Sequence, residues 1–286
     1  MAVATSANSS RLPRELWSDS SRSVWAVSCS AGDHRDFCET IEVREPNKIV
    51  HDGQTDYDDN YEQLNLRWKR TRPGVGPAAI LEGRTGGSAG CVGYYVVTFA
   101  SGAPWQKLWG CHLDETPIVS ANGLPHFNLG FSIEGFAGVP DAGTSVVGLP
   151  MHWTGRRMEL DLAAVMAPRF GFRWMDQRRH AMGVELRKWR AAGGEMNAQF
   201  FTVITTQTLL KLMLSGHADQ AHTMLIRGWP SGPSQAGGLA ASPEAFWSGL
   251  CKRVISEPLW TELAMHRISQ AEMVEAAAAG PAIGRR

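Results

Sequence analysis

The chain has 286 residues, 28 basic and 28 acidic side chains and 43% apolar residues, enough for one large globular domain or two small ones with a sizeable core. Charged residues at 20% beside aromatics at 9% exclude a mainly disordered chain. A formal charge of zero lacks the electrostatic footprint of a general nucleic-acid binder, so no such binding is expected.

The N-terminus carries no basic stretch followed by an apolar one, and its first charge is Arg11. No secretory signal is read there, which predicts a cytoplasmic chain or one held in an assembled particle. Residues 1–22 read as an N-terminal arm that opens on small side chains at 2–10. No run reaches the roughly 18 apolar residues that cross a bilayer. Residues 92–100 and 200–214 come nearest but are short or broken by Thr, Gln and Lys. No membrane span is expected and the chain reads as soluble.

From residue 23 to about 155 the pattern is that of strands. Residues 23–29, 37–44, 61–70, 91–100, 127–136 and 144–153 are β-branched and aromatic runs separated by Gly, Pro, Asn and Asp clusters. Leu64, Leu66 and Trp68 alternate with Asn65, Arg67 and Lys69, the pattern of a strand with one buried and one wet face. Residues 94–99 are apolar on both faces and belong in the middle of a sheet.

After about residue 175 the period becomes helical. Residues 176–192 read as a helix with His180, Val184 and Trp189 on one face and Gly193-Gly194 as its stop. Residues 229–241, rich in Gly and Pro, read as a loop. Ser242-Pro243-Glu244 places a capping hydroxyl before a first-turn proline, with Phe246, Trp247, Leu250 and Val254 at helical spacing behind it. Ser269-Gln270-Ala271-Glu272 is a capping box, flanked by Ile268 and Met273 as a hydrophobic staple, and opens a last helix that stops at Gly280-Pro281.

The expected fold is therefore α+β. Residues 23–155 form a β-rich portion, a sandwich or barrel-like antiparallel sheet. Residues 156–286 form a mainly helical portion, either separate or continuous with the first. The zero net charge hides an asymmetry: 12 basic and 17 acidic residues precede Pro150, and 16 basic and 11 acidic follow it. Residues 156–190 alone hold nine basic and four acidic side chains, an excess that can orient subunits or grip an anion.

Cys29, Cys38, Cys91, Cys111 and Cys251 are odd in number and widely spaced, with no C-x-x-C pair. They are expected to be reduced and mostly buried thiols rather than zinc ligands or a disulfide framework. Gly86-Gly87-Ser88-Ala89-Gly90 fits the nucleophile elbow of a serine hydrolase, yet the residues after Ser88 have strand composition where an elbow needs a helix. His112-Leu113-Asp114 fits two ligands of a non-haem iron site, with His152 or His180 as the third and Arg190, ten residues past His180, able to hold an acidic cosubstrate. A second H-x-D at His34-Arg35-Asp36 shows how cheaply that pattern arises. Asp56, Asp58, Asn60 and Glu62 alternate as calcium ligands do, without the closing Glu of an EF-hand. None of these patterns assigns a cofactor.

Eleven tryptophans exceed average usage several-fold and supply both core and interface area. Taken with the charge asymmetry, they favour a non-catalytic structural protein that assembles into a homo-oligomer, a viral coat or shell subunit being the specific example. Arg178 and Arg179, in the basic segment, are the expected interface residues. The competing expectation is a small-molecule enzyme, an iron oxygenase using His112, Asp114 and His180 or a hydrolase using Ser88.

Overall fold

The computed structural model describes residues 12–19, 22–29, 38–52, 63–70, 76–84, 92–98, 105–110, 118–133, 135–138, 146–193, 203–232, 237–263, 265 and 271–279. The chain divides into two compact units. The first comprises Met1–Gly110, Ile118–Pro125 and Trp153–Met158; the second comprises Cys111–Pro117, His126–His152 and Glu159–Arg286. Antiparallel sheets occupy the N-terminal half and helices the C-terminal half, an α+β architecture with a β-rich N-terminus.

Unit 1 holds two four-stranded antiparallel meanders. Strands β1 (Arg14–Ser18), β2 (Ser23–Ser28), β3 (Glu39–Glu45) and β4 (Lys48–Asp52) pair in chain order, as do β5 (Gln63–Lys69), β6 (Ala79–Arg84), β7 (Val92–Val97) and β8 (Trp105–Gly110). The sheets share one core. Val24, Ala26, Ile41 and Val43 from the first meet Leu64, Leu81, Tyr95 and Val97 from the second, as period-two burial demands. β7 lies between β6 and β8 and is buried throughout, the central position expected of a run apolar on both faces. In β5 the expected alternation is firm at Leu64 and then blurs, because the register shifts between Leu66 and Trp68 and leaves both half-buried. A bulge of this kind turns side chains off the face that strict alternation assigns.

The cysteines correct the sequence reading in part. Cys29 and Cys38 form a disulfide, and the Cys29 N–H donates to the Cys38 carbonyl at 3.2 Å, so the bond joins the ends of paired β2 and β3. Nine residues of separation concealed a hairpin that brings the two together. Cys251 is buried and takes no part in a disulfide.

A third antiparallel sheet has the order β12 (Met158–Leu160), β11 (Val146–Trp153), β10 (Leu124–Ser132) and β9 (Val119–Ala121). Asn122 and Gly123 link β9 to β10 with φ of 54° and 78°, the positive pair that a type I′ turn requires and that Asn-Gly accommodates best.

In unit 2, β10 and β11 pair from His126–His152 to Ser132–Val146, followed by helices. These are α1 (Leu162–Met166), α2 (Phe172–Ala191), α3 (Val203–Leu214), α4 (Ala218–Gly228), α5 (Pro243–Ser256), α6 (Pro258–Glu262) and α7 (Ala271–Ala279). Phe246 of α5 is the hub of their core, with edge-on contacts to Phe136, Trp189 and Trp229 at centroid distances of 5.3, 5.6 and 5.9 Å. The Ser242 hydroxyl accepts the Ala245 N–H at 3.1 Å and Pro243 fills the first helical position, as its sequence predicts. α7 ends at Ala279 before Gly280, while Ser269 of the capping box lies outside the described residues. The buried face of α2 is Met182, Glu185, Leu186 and Trp189. His180 is exposed, which corrects its expected place beside Trp189. Nine residues advance a helix by two and a half turns, so the two project to opposite sides.

Candidate functional site

Ser88, His112, Asp114, Asp56, Asp58, Asn60 and Glu62 lie outside the described residues, and His180 points to solvent from α2. Arg190, expected to serve a cosubstrate, has another task. Its guanidinium donates to the carbonyls of Pro230 and Gly232 at 2.6 and 2.9 Å and lies 5.6 Å from the Trp229 ring centroid, pinning the loop after α4. Among the described residues no three His, Cys, Asp or Glu side chains converge as a metal would require.

What the fold does assemble is a basic, aromatic-edged corner of unit 2 where α1 leads into α2. Asp161 caps α1 by accepting the Ala164 N–H at 3.0 Å. At the other end of α1, Arg169 donates to the Met166 and Ala167 carbonyls, a cation placed on the carbonyl end of a helix. The chain then turns through Phe170, whose ring packs against Trp174 at 4.7 Å and edge-on against His217 at 5.4 Å. That bracing fixes the first turns of α2. Phe172, directly beyond the turn, is left 87% exposed, with Met166 at 44%.

Behind this corner lies a cavity of about 300 Å³ lined by β11, α1, α2 and α3. Its buried floor includes Leu149, Val165 and Leu214, together with Thr208 and Ser215. Its rim carries Arg178, half-buried, and Lys211 and Gln207, both exposed. The Arg178 guanidinium sits 5.8 Å from the Trp174 ring centroid, within the reach of a cation–π attraction. Arg179, its neighbour in sequence, instead forms an ion pair with Asp176 one turn earlier. The two residues assigned together to an interface thus have different surroundings.

Sequence reasoning missed the α3 wall because residues 200–214 attracted notice only as an apolar stretch. The signal was present. Gln207, Thr208, Lys211, Leu214 and Ser215 recur at helical spacing, so one face of α3 carries the polar and charged groups of the cavity. α3 is tied to α2 by Glu185, whose buried carboxylate accepts the Thr205 N–H at 3.1 Å and the Thr205 hydroxyl at 3.3 Å. Burial pushes the Glu185 carboxyl up to about 7, while the hydrogen bonds from Thr205 and the Ile204 N–H, with nearby Lys188, pull the other way.

No protein-family model, curated protein or solved structure matches the chain.

Proposed function

We propose that the chain is a non-catalytic structural subunit that assembles with copies of itself, a viral coat or shell subunit being the specific case. The observation that carries this reading is Phe172, an aromatic side chain 87% exposed at the head of α2, which carries six basic and two acidic residues. Large exposed aromatics beside arginines are the material of interface anchors, because they bury much area at little entropic cost. The copy that covers it is supported by charge. The half before Pro150 carries minus five and the half after it plus five, so unlike halves attract head to tail. Such heterologous contacts generate rings, filaments or shells rather than closed two-fold pairs.

Sedimentation of the full chain tests the reading. Oligomers are expected at about 0.05 M salt and weaker association at about 0.5 M, where the Debye length falls from roughly 14 Å to about 4 Å. Phe172→Asp is expected to abolish association while leaving the fold intact, and charge reversal at Arg178 and Arg179 to slow it. A monomer at both salt concentrations overturns the proposal.

A further inference from the structure

The cavity behind the α1–α2 corner shares Arg178 with the proposed assembly surface, but its apolar floor and Lys211 have no part in that reading. We propose that it binds a small organic anion, with the oxyanion head at the rim between Arg178 and Lys211 and an apolar or aryl body on the floor.

Size comes first. A cavity of about 300 Å³ stands at the lower end of small-molecule sites and equals the share of roughly ten waters in the liquid. A body of about ten non-hydrogen atoms suits it, whereas a bare inorganic ion leaves the floor unfilled.

The distribution of wall chemistry then sets the orientation. Leu149, Val165 and Leu214 are buried at the floor and Lys211 is exposed at the rim. An amphipathic solute gains most by placing its hydrocarbon against the former and keeping its charge at the latter. Thr208 and Ser215 add hydroxyl groups to the lining.

The sign of the charge follows from what the cations lack. Among the described residues no carboxylate pairs with Arg178 or Lys211, and none of the described lining residues is acidic. Other arginines of this region are committed: Arg169 to carbonyls of α1, Arg179 to Asp176 and Arg190 to the loop after α4. Two like charges on one small cavity repel, and an anion between them removes that repulsion. The end of α3 does not compete for the cations. The carbonyls of Leu212 and Met213 already accept N–H groups of Ser215, Gly216 and His217 at 2.9 to 3.1 Å.

Arg178 is also pre-oriented. Trp174 lies under its guanidinium and is itself held by Phe170, so less freedom is lost when the planar fork meets an oxyanion. Lys211 contributes a point charge from the facing helix.

Titration calorimetry on the full chain tests this with phenyl phosphate, which joins an aryl body to an oxyanion, against benzyl alcohol and inorganic phosphate. Phenyl phosphate is expected to bind one site per chain, at least about tenfold more tightly than either comparator. Arg178→Gln and Lys211→Gln should each weaken it about tenfold, whereas Arg179→Gln leaves it within about twofold. Thermal melting confirms that the variants, changed only at partly exposed positions, stay folded. Failure of phenyl phosphate to bind overturns the proposal, as does equal affinity for benzyl alcohol, or undiminished affinity in the double variant Arg178→Gln, Lys211→Gln. Self-association is read separately by sedimentation, so neither proposal shelters the other.

Discussion

The carboxylate of Glu39 in β3 accepts the backbone N–H of Leu64 in β5 at 2.8 Å, so one buried hydrogen bond joins the two sheets of unit 1. Arg14 of β1 closes the arrangement, donating to Glu39 at 3.1 Å and to the Leu64 carbonyl at 2.7 Å. A strand on one sheet edge thereby has both backbone groups of Leu64 satisfied from the other sheet. Glu39→Ala leaves that N–H without its acceptor and takes from Arg14 its carboxylate partner, although Arg14 keeps the Leu64 carbonyl, a loss of about 2 kcal/mol. Arg14→Ala costs less, since the carboxylate keeps the Leu64 N–H. Denaturant titration checks both, and a loss below about 0.5 kcal/mol for Glu39→Ala would show that the two sheets hold together without this bond.

Glu185 makes stability depend on pH. Its folded carboxyl titrates at about 7 against an ordinary value of 4.5, so between those values the folded chain holds more protons than the unfolded one. Stability then falls as pH rises from about 4.5 to about 7 and levels off above, by up to about 3 kcal/mol from this group. Glu185→Gln removes the titration. The stability of the wild type relative to Glu185→Gln should decline across that window, measured by urea unfolding at a series of pH values. A constant difference refutes the assignment.

Ser242 is the capping residue of α5. Ser242→Ala removes the acceptor for the Ala245 N–H and should cost about 1 kcal/mol, whereas Ser242→Gly costs a few tenths. Chemical denaturation reads both, and a Ser242→Ala variant as stable as the wild type would show that the hydroxyl does not cap α5.

Gly183 lies inside α2, where an alanine ordinarily gains about 1 kcal/mol. A Cβ there would stand 3.1 Å from the Gly228 carbonyl oxygen at the end of α4, and a backbone oxygen yields less readily than a side chain. Gly183→Ala is therefore expected to give no gain in melting temperature. A rise of several degrees would mean that α2 and α4 can separate without loss.

The passage from strands to helices was readable because side-chain period alone records which face is buried, two for a strand and 3.6 for a helix. Ser242-Pro243 and the run at residues 94–99 announced themselves for the same local reason: a cap and a two-faced apolar run are properties of neighbouring residues. β6 and β8 went unread, since Glu82 and Arg84 or Gln106 and Lys107 break any apolar pattern. Glu82 is nonetheless buried: Arg84 of its own strand pairs with it at 2.8 Å, and the second ion pair, with Arg67 at 3.5 Å, forms only once β5 lies alongside. Asn122-Gly123 was a local turn signal that went unused.

The cavity belongs to the other kind of information. α2 and α3 each carry a helical pattern in the sequence, and the excess of arginine in 156–190 pointed to anion binding or assembly. That Arg178 lines a cavity with Lys211 while Arg179 pairs with Asp176 depends on how two helices rotate and pack. The Cys29–Cys38 disulfide and the Glu39–Leu64 bond have the same origin. Local sequence sets which residues can be helical, extended or capped, whereas distances between residues far apart in the chain are set by the packing of finished elements. Binding and pairing chemistry depends on those distances, so tertiary structure alone decided it.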